Sequence, residues 1–180
     1  GHGGNGLLRI SLPSFKAQAK QLNTKLVILQ FGGNAVPSTD GEDWSFYEQA
    51  TYNIIHRVKR AAPKASIVVM SVSDMAFAED GELKSYYTVP HIRLMQKRAA
   101  ERANVAFFDL YEAMGGPGSI ISWVNHDPPY AAQDYAHFSF AGQRLVANML
   151  MAHIIREYEA YLQRTAGDAD KIAGPQANNS

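Results

Sequence analysis

Asp134 stands three residues before His137 in the stretch Asp134, Tyr135, Ala136, His137, Phe138, Ser139. A carboxylate at that spacing can accept a hydrogen bond from one imidazole nitrogen, fix the tautomer and leave the other nitrogen free to take a proton. That is the base half of a hydrolytic triad. The pair alone is weak evidence, because nine Asp and six His make a chance Asp-x-x-His common in a chain of this length. A second group lies far upstream, where the apolar run Lys25, Leu26, Val27, Ile28, Leu29, Gln30, Phe31 stops at Gly32, Gly33, Asn34. Glycines allow a sharp turn, and a side-chain amide there can donate to a developing oxyanion, a contact typically worth ~10²–10³ in kcat. The plainer reading is a turn whose Asn caps the next segment.

Those residues must be carried by elements that bring them together. The run from Lys25 to Phe31 reads as a strand buried on both faces, as in a parallel sheet covered by helices, where ligands sit beyond the carboxyl ends of strands. A short helix over 13–22 precedes it, and 36–43 reads as a polar loop beside Asn34 that borders the substrate. Ser45 and Glu48 form a capping box for a helix with the stripe Tyr47, Ala50, Ile54, Val58, Ala61, which Pro63 ends. Residues 65–72 make a second buried strand. Pro90 suits the first turn of a helix through Ile92, Met95, Ala99, Ala103, and 105–109 make a third strand. Ser139 is the expected N-cap of a last helix whose residues Leu145, Val146, Met149, Leu150, Ala152, Ile154 face the sheet while Arg144, Arg156, Glu157 and Arg164 stay wet. Alternating strands and helices imply an α/β fold with a parallel sheet and right-handed crossovers.

Composition bounds the function. At 180 residues and 46% hydrophobic content the chain can bury one substantial core, expected over 1–164, with 165–180 a polar, disordered tail. Seventeen basic and seventeen acidic residues leave no net field for nucleic acid or an anionic membrane. Arg57, Lys59, Arg60 and Arg93, Lys97, Arg98 read as solvated helix faces. No cysteine is present, so there are no disulfides and no thiolate sites. No apolar run reaches the ~18 residues of a membrane span, and no signal peptide is visible. His2, His56, His91 and His153 read as surface or packing residues. His126 precedes Asp127, Pro128, Pro129 and is expected to border the pocket, as is Gly33. A zinc site from His126, Asp127, Asp134 and His137 lacks a helical His pair, so no metal is expected. Trp44 and Trp123 read as core or rim aromatics rather than sugar platforms.

Taken together, Asn34, Asp134 and His137 resemble the SGNH (GDSL-type) hydrolases, esterases whose blocks carry Ser, Gly, Asn and His in that chain order. Gly3, Gly4, Asn5, Gly6 look like the second block, in which the resemblance makes Gly6 an oxyanion-hole N–H donor. Asn34 matches the third block, and Asp134 with His137 the fifth. Leu26 to Asn34, the stretch Ala113, Met114, Gly115, Gly116, Pro117, Gly118, Ser119 followed by Trp123, and His137, Phe138 ahead of Gly142 are most similar to the peptidoglycan O-acetylesterase-like branch. The resemblance implies a three-layer α/β/α, flavodoxin-like fold and a serine esterase of small acyl esters, acetyl first, on carbohydrate or peptidoglycan. It implies no cofactor, and a periplasmic or extracellular location.

One block is missing: the strand ending in Gly-Asp-Ser that carries the nucleophile is expected upstream of residue 1. Ser11 lies in a helical stretch, and Ser71 and Ser73 read as polar groups at a strand end, so no nucleophile is assigned within the chain. In the family's sheet order the serine strand is central, which would leave one edge of the strand at 25–31 unpaired. The expectation is a chain lacking its N-terminal strand, either as a fragment or completed by another chain. The alternative reading, from another class, is a carbohydrate-binding or partner-dependent protein that keeps the cleft without the serine.

Overall fold

A computed structural model describes residues 11–38 and 43–173. The chain divides into two compact units, one ending at Gln143 and one beginning at Arg144.

Within the first unit, helix α1 (Leu12–Gln21) leads into strand β1 (Leu26–Gln30), a 3₁₀ turn (Gly33–Ser38) and helix α2 (Ser45–Ala61). Strand β2 (Ser66–Met70) follows, then an antiparallel hairpin of β3 (Ala76–Glu79) and β4 (Glu82–Ser85), helix α3 (Thr88–Arg102), strand β5 (Ala106–Phe108) and the short helices α4 (Leu110–Met114) and α5 (Ser119–Val124). β1, β2 and β5 form a parallel sheet in that order, with Leu26 opposite Ser66 and Val68 opposite Ala106. This is the parallel α/β arrangement that the alternation of elements implies, with three strands in the main sheet among the described residues.

The core explains why these segments fold as they do. Val27, Leu29, Ile67 and Val69 point to one face of the sheet, and Ala19 of α1, Ile55 and Val58 of α2, Ala99 and Ala100 of α3, and Ala103 just past its end close over them. Small residues on α3 let that helix lie near the strands, and the period of two along each strand sends every second residue into this layer. A second cluster, Val36, Trp44, Val72, Val89, Ile92, Met95 and Tyr111, sits under the turns that leave the strands.

Four expectations need correction. β1 is not buried on both faces: Val27 and Leu29 are buried, but Leu26 and Ile28, on the alternate face, are 43% and 44% exposed. The capping box of α2 does not form. Ser45 is the first helical residue, the N-cap position falls on Trp44, which caps with no side-chain hydrogen bond, and the Asp43 carboxylate accepts the Ser45 N–H at 2.9 Å instead. The loop after Asn34 is tightened into a 3₁₀ turn as far as Ser38, since Ala35 N–H bonds the Gly32 carbonyl. Arg93 is not a solvated cation: it makes a forked contact with Asp109 at 2.7–2.9 Å and reaches Glu112 at 3.0 Å.

The second unit holds helix α6 (Phe140–Ala173) from Arg144 onward. Val146 and Leu150 are buried and Leu145, Met149 and Ile154 are half-buried, whereas Ala152 is exposed along with Arg144, Arg156, Glu157 and Arg164. The helix continues into the stretch read as a tail, and residues 174–180 lie outside the described residues.

Candidate active site

The segment 130–143 is folded by backbone hydrogen bonds into a closed loop that presents His137. Ala131 and Phe138 form an isolated antiparallel bridge, Ala132 N–H bonds the His137 carbonyl at 2.8 Å, and Ser139 N–H bonds the Tyr130 carbonyl at 3.0 Å. Tyr135 turns the tip with φ 54°, in the left-handed region that few residues other than glycine adopt. The turn is held by Asp134, whose Oδ1 accepts the N–H groups of Ala136 and His137, both at 3.0 Å. Its other oxygen, Oδ2, lies 2.7 Å from His137 Nδ1. One carboxylate therefore fixes both the backbone and the ring. The N–H of His137, then burial, then the ring contact set the balance on Asp134, and the donors win: its carboxyl lies below the usual carboxylate range.

His137 is 83% exposed at its side chain, with Nδ1 engaged by Asp134 and the opposite ring nitrogen facing outward from that contact. Immediately after it, Ser139 Oγ accepts Gly142 N–H at 3.2 Å, the N-cap expected for the last helix. Gly142 has a second reason to be glycine: a Cβ there would overlap the Tyr130 carbonyl oxygen. Phe138 packs on Trp123, which is 7% exposed and also meets Tyr130, so Trp123 is a core support of this loop. His126 is exposed and stacks on Tyr130 at 3.9 Å between centroids, with Nδ1 at 2.8 Å from the Pro128 carbonyl.

The turn bearing Asn34 is built by buried polar groups. Gln96 of α3 is 0% exposed; its amide donates to the Phe31 carbonyl at 2.7 Å and its oxygen accepts Val72 N–H at 2.8 Å, tying the exits of β1 and β2. Gly32 has φ 116°, and a Cβ on it would stand 2.9 Å from both Gln96 Nε2 and Tyr47 Oη. Burial pushes the Tyr47 phenol up to about 12, so it stays neutral beside Gln96. Thr88 Oγ1 then donates to the Val36 carbonyl at 2.8 Å and anchors the 3₁₀ turn. Asn34 itself is exposed on that turn, beyond the carboxyl end of β1.

One short segment joins the two tips. A Cβ on Gly33 would lie 3.7 Å from Met75 Sδ, and the next residue, Ala76, donates its N–H to the Tyr135 carbonyl at 3.1 Å. Gly33, next to Asn34, thus lies near Met75, and Tyr135, between Asp134 and His137, is bonded to Ala76. That segment is secured by Asp74, 0% exposed, whose Oδ2 accepts Ser85 Oγ and Ile120 N–H, each at 3.1 Å. Ser85 Oγ also accepts Gly118 N–H at 2.9 Å, which docks the Met114 to Ser119 stretch beside it. Burial raises the Asp74 carboxyl despite these donors, and Asp74 Oδ1 and Ser119 Oγ are buried without hydrogen-bond partners among the described residues.

Asp74, Gln96 and the hairpin were not read from the sequence. Gln96 carried a signal, since it occupies the buried stripe of α3 between Ile92 and Ala99, where a polar residue must find partners. Ser71 is fully buried, donating to the Val72 carbonyl and accepting Tyr111 N–H, and so is spent on structure. Gly6 lies outside the described residues. Among the described residues no group of three or more His, Asp or Glu could hold a metal ion, and no helix is long and apolar enough to cross a membrane.

Residues 1–145 match the GDSL-like lipase/acylhydrolase family. Among solved structures, a peptidoglycan O-acetylesterase aligns with TM-score 0.69 at 25% identity, over 82% of this chain and 41% of that one. An acetyl xylan esterase aligns with TM-score 0.60 at 16% identity, over 86% of this chain and 78% of that one. A lipase/acylhydrolase from Enterococcus faecalis aligns with TM-score 0.54 at 16% identity, over 79% and 67%. The latter two show the fold alone, and the chain spans less than half the length of the first. No curated protein sequence matches.

Proposed function

Because the chain belongs to the GDSL-like lipase/acylhydrolase family, we propose that it is the base and oxyanion portion of a serine esterase that removes small acyl groups, acetyl first, from a carbohydrate or peptidoglycan-like polymer. The observation that carries this reading is the 2.7 Å contact between Asp134 Oδ2 and Nδ1 of an otherwise exposed His137. The acetyl and glycan preference rests on the peptidoglycan O-acetylesterase and acetyl xylan esterase likenesses.

In the proposed mechanism His137 takes a proton through its outward nitrogen from a serine supplied by sequence upstream of Gly1, as that serine attacks the ester carbonyl. Asp134 holds the tautomer and stabilises the imidazolium, and the Asn34 amide with the Gly6 N–H receives the charge on the tetrahedral oxygen. His137 then returns the proton to the leaving alcohol, and water releases the acyl-serine with His137 again as base. No cofactor is needed for these steps.

The test is hydrolysis of p-nitrophenyl acetate by a chain extended upstream through a Gly-Asp-Ser block, compared with its His137→Ala variant. The expected loss in kcat is ~10³-fold or more. Equal rates would remove His137 from the mechanism.

A further inference from the structure

At the amino ends of the strands, opposite the turn bearing Asn34, lies a cavity of ≈ 390 Å³ whose lining includes Lys16, Lys20 and Lys64 beside Ala19, Ala61 and Ala62. Its place follows from topology: Asn23 and Thr24 immediately precede β1, and Ala61 to Lys64 join α2 to β2. The buried Ala19, Ala61 and Ala62 and the exposed Pro63 give it an apolar wall, three lysines line it as well, and among the described residues no carboxylate does. Lys16, Lys20 and Lys64 are exposed, and among the described residues none of their ammonium groups has an ion-pair or hydrogen-bond partner.

We propose that this cavity binds a small amphiphilic carboxylate, its apolar body on Ala19, Ala61, Ala62 and Pro63 and its head among Lys16, Lys20 and Lys64. The volume falls in the lower part of the ~300–1,000 Å³ range of small-molecule pockets. The lysines are not needed to finish the helices. The end of α1 is closed by the backbone N–H groups of Leu22, Asn23 and Thr24 on the Gln18, Lys20 and Ala19 carbonyls, with Asn23 in the left-handed region at φ 48°, and the end of α2 by Ala62 N–H on Val58. Two helix C-termini bring roughly half a negative charge each, already partly spent in these bonds, against three full ammonium charges, so the cavity remains cationic. A bare inorganic anion would gain nothing from the apolar wall, and an apolar molecule without charge nothing from the lysines. A carboxylate with a short hydrocarbon body uses both.

The experiment is calorimetric titration of sodium octanoate into the chain at low ionic strength, with sodium acetate and octylammonium chloride titrated in parallel. One saturable site for octanoate is expected, and none for the other two. The Lys16→Gln/Lys20→Gln/Lys64→Gln variant should bind octanoate about tenfold or more weakly while keeping the wild-type circular dichroism, since all three side chains are exposed. Lys97→Gln on α3 and His137→Ala should leave binding unchanged, which separates this cavity from the candidate active site. Octanoate affinity retained in the triple variant, equal binding of octylammonium, loss of binding in His137→Ala, or no saturable binding at millimolar octanoate would each overturn the assignment.

Discussion

At Asp134 a single carboxylate supports two structures at once, the turn through Oδ1 and the imidazole through Oδ2. Its pKa is depressed in the folded chain, chiefly by the His137 N–H. The sign follows: the stabilisation of this turn is fully present above the unfolded value of roughly 3.9 and is lost as pH falls through the lower, folded value. Following the Ala136 and His137 amides by heteronuclear NMR should therefore give a titration midpoint below that of an unstructured Asp. A midpoint at or above it would show that Asp134 does not hold the turn. Asp134→Asn should remove the transition from both amides. The side chain is half exposed, so solvent screens the pair, and its effect belongs to the geometry of His137 rather than to global stability.

Among the elements, the start of α6 and the exit of β1 are set by contacts in which a small change reverses an ordinary preference. Ala is favoured over Gly inside helices by up to about 1 kcal/mol, yet Gly142→Ala should destabilise, because its methyl would overlap the Tyr130 backbone and a rigid carbonyl cannot yield as a side chain would. A loss of roughly 1–3 kcal/mol, read as a lower thermal midpoint, is expected; an unchanged or raised midpoint would contradict the close approach. Gln96→Leu should cost roughly 2–4 kcal/mol in urea denaturation, since it strands the Val72 N–H and the Phe31 carbonyl together. A cost below about 1 kcal/mol would mean that other groups satisfy both. These contacts also mark where legibility in the sequence ends. Asp134, His137 and the Ser139 cap are local in the chain, and the structure draws each into contact as its spacing implies. The three parallel strands were legible from unbroken apolar runs. The β3–β4 hairpin was missed although Asp80-Gly81, both at positive φ between the paired Glu79 and Glu82, is the dipeptide of a two-residue hairpin turn; the flanking residues lack period-two apolar alternation, which hid the strands. Gln96 and Asp74 act across long sequence separations, and a helix stripe or a strand end does not reveal a partner that the fold supplies.

On the scale of the whole molecule, β1 decides how the chain behaves among its own copies. Among the described residues it pairs only with β2, and the backbone donors and acceptors of its other side have no strand partner among them, beside the exposed Leu26 and Ile28. An unpaired edge with apolar side chains is a template for strand addition, and a formal net charge of zero gives little long-range repulsion to oppose it. Concentration-dependent association is therefore expected, visible as a rising mean sedimentation coefficient. Ile28→Lys tests the source. Ile28 lies on the exposed face, apart from the Val27 and Leu29 layer that packs against α1, α2 and α3, so lysine there should change stability by no more than about 0.5 kcal/mol while an edge charge opposes pairing. The variant should sediment as a monomer at concentrations where the parent chain associates. If parent and variant sediment alike at every concentration, β1 is not the associating edge; if the variant unfolds, Ile28 belongs to a packed layer rather than to an open face.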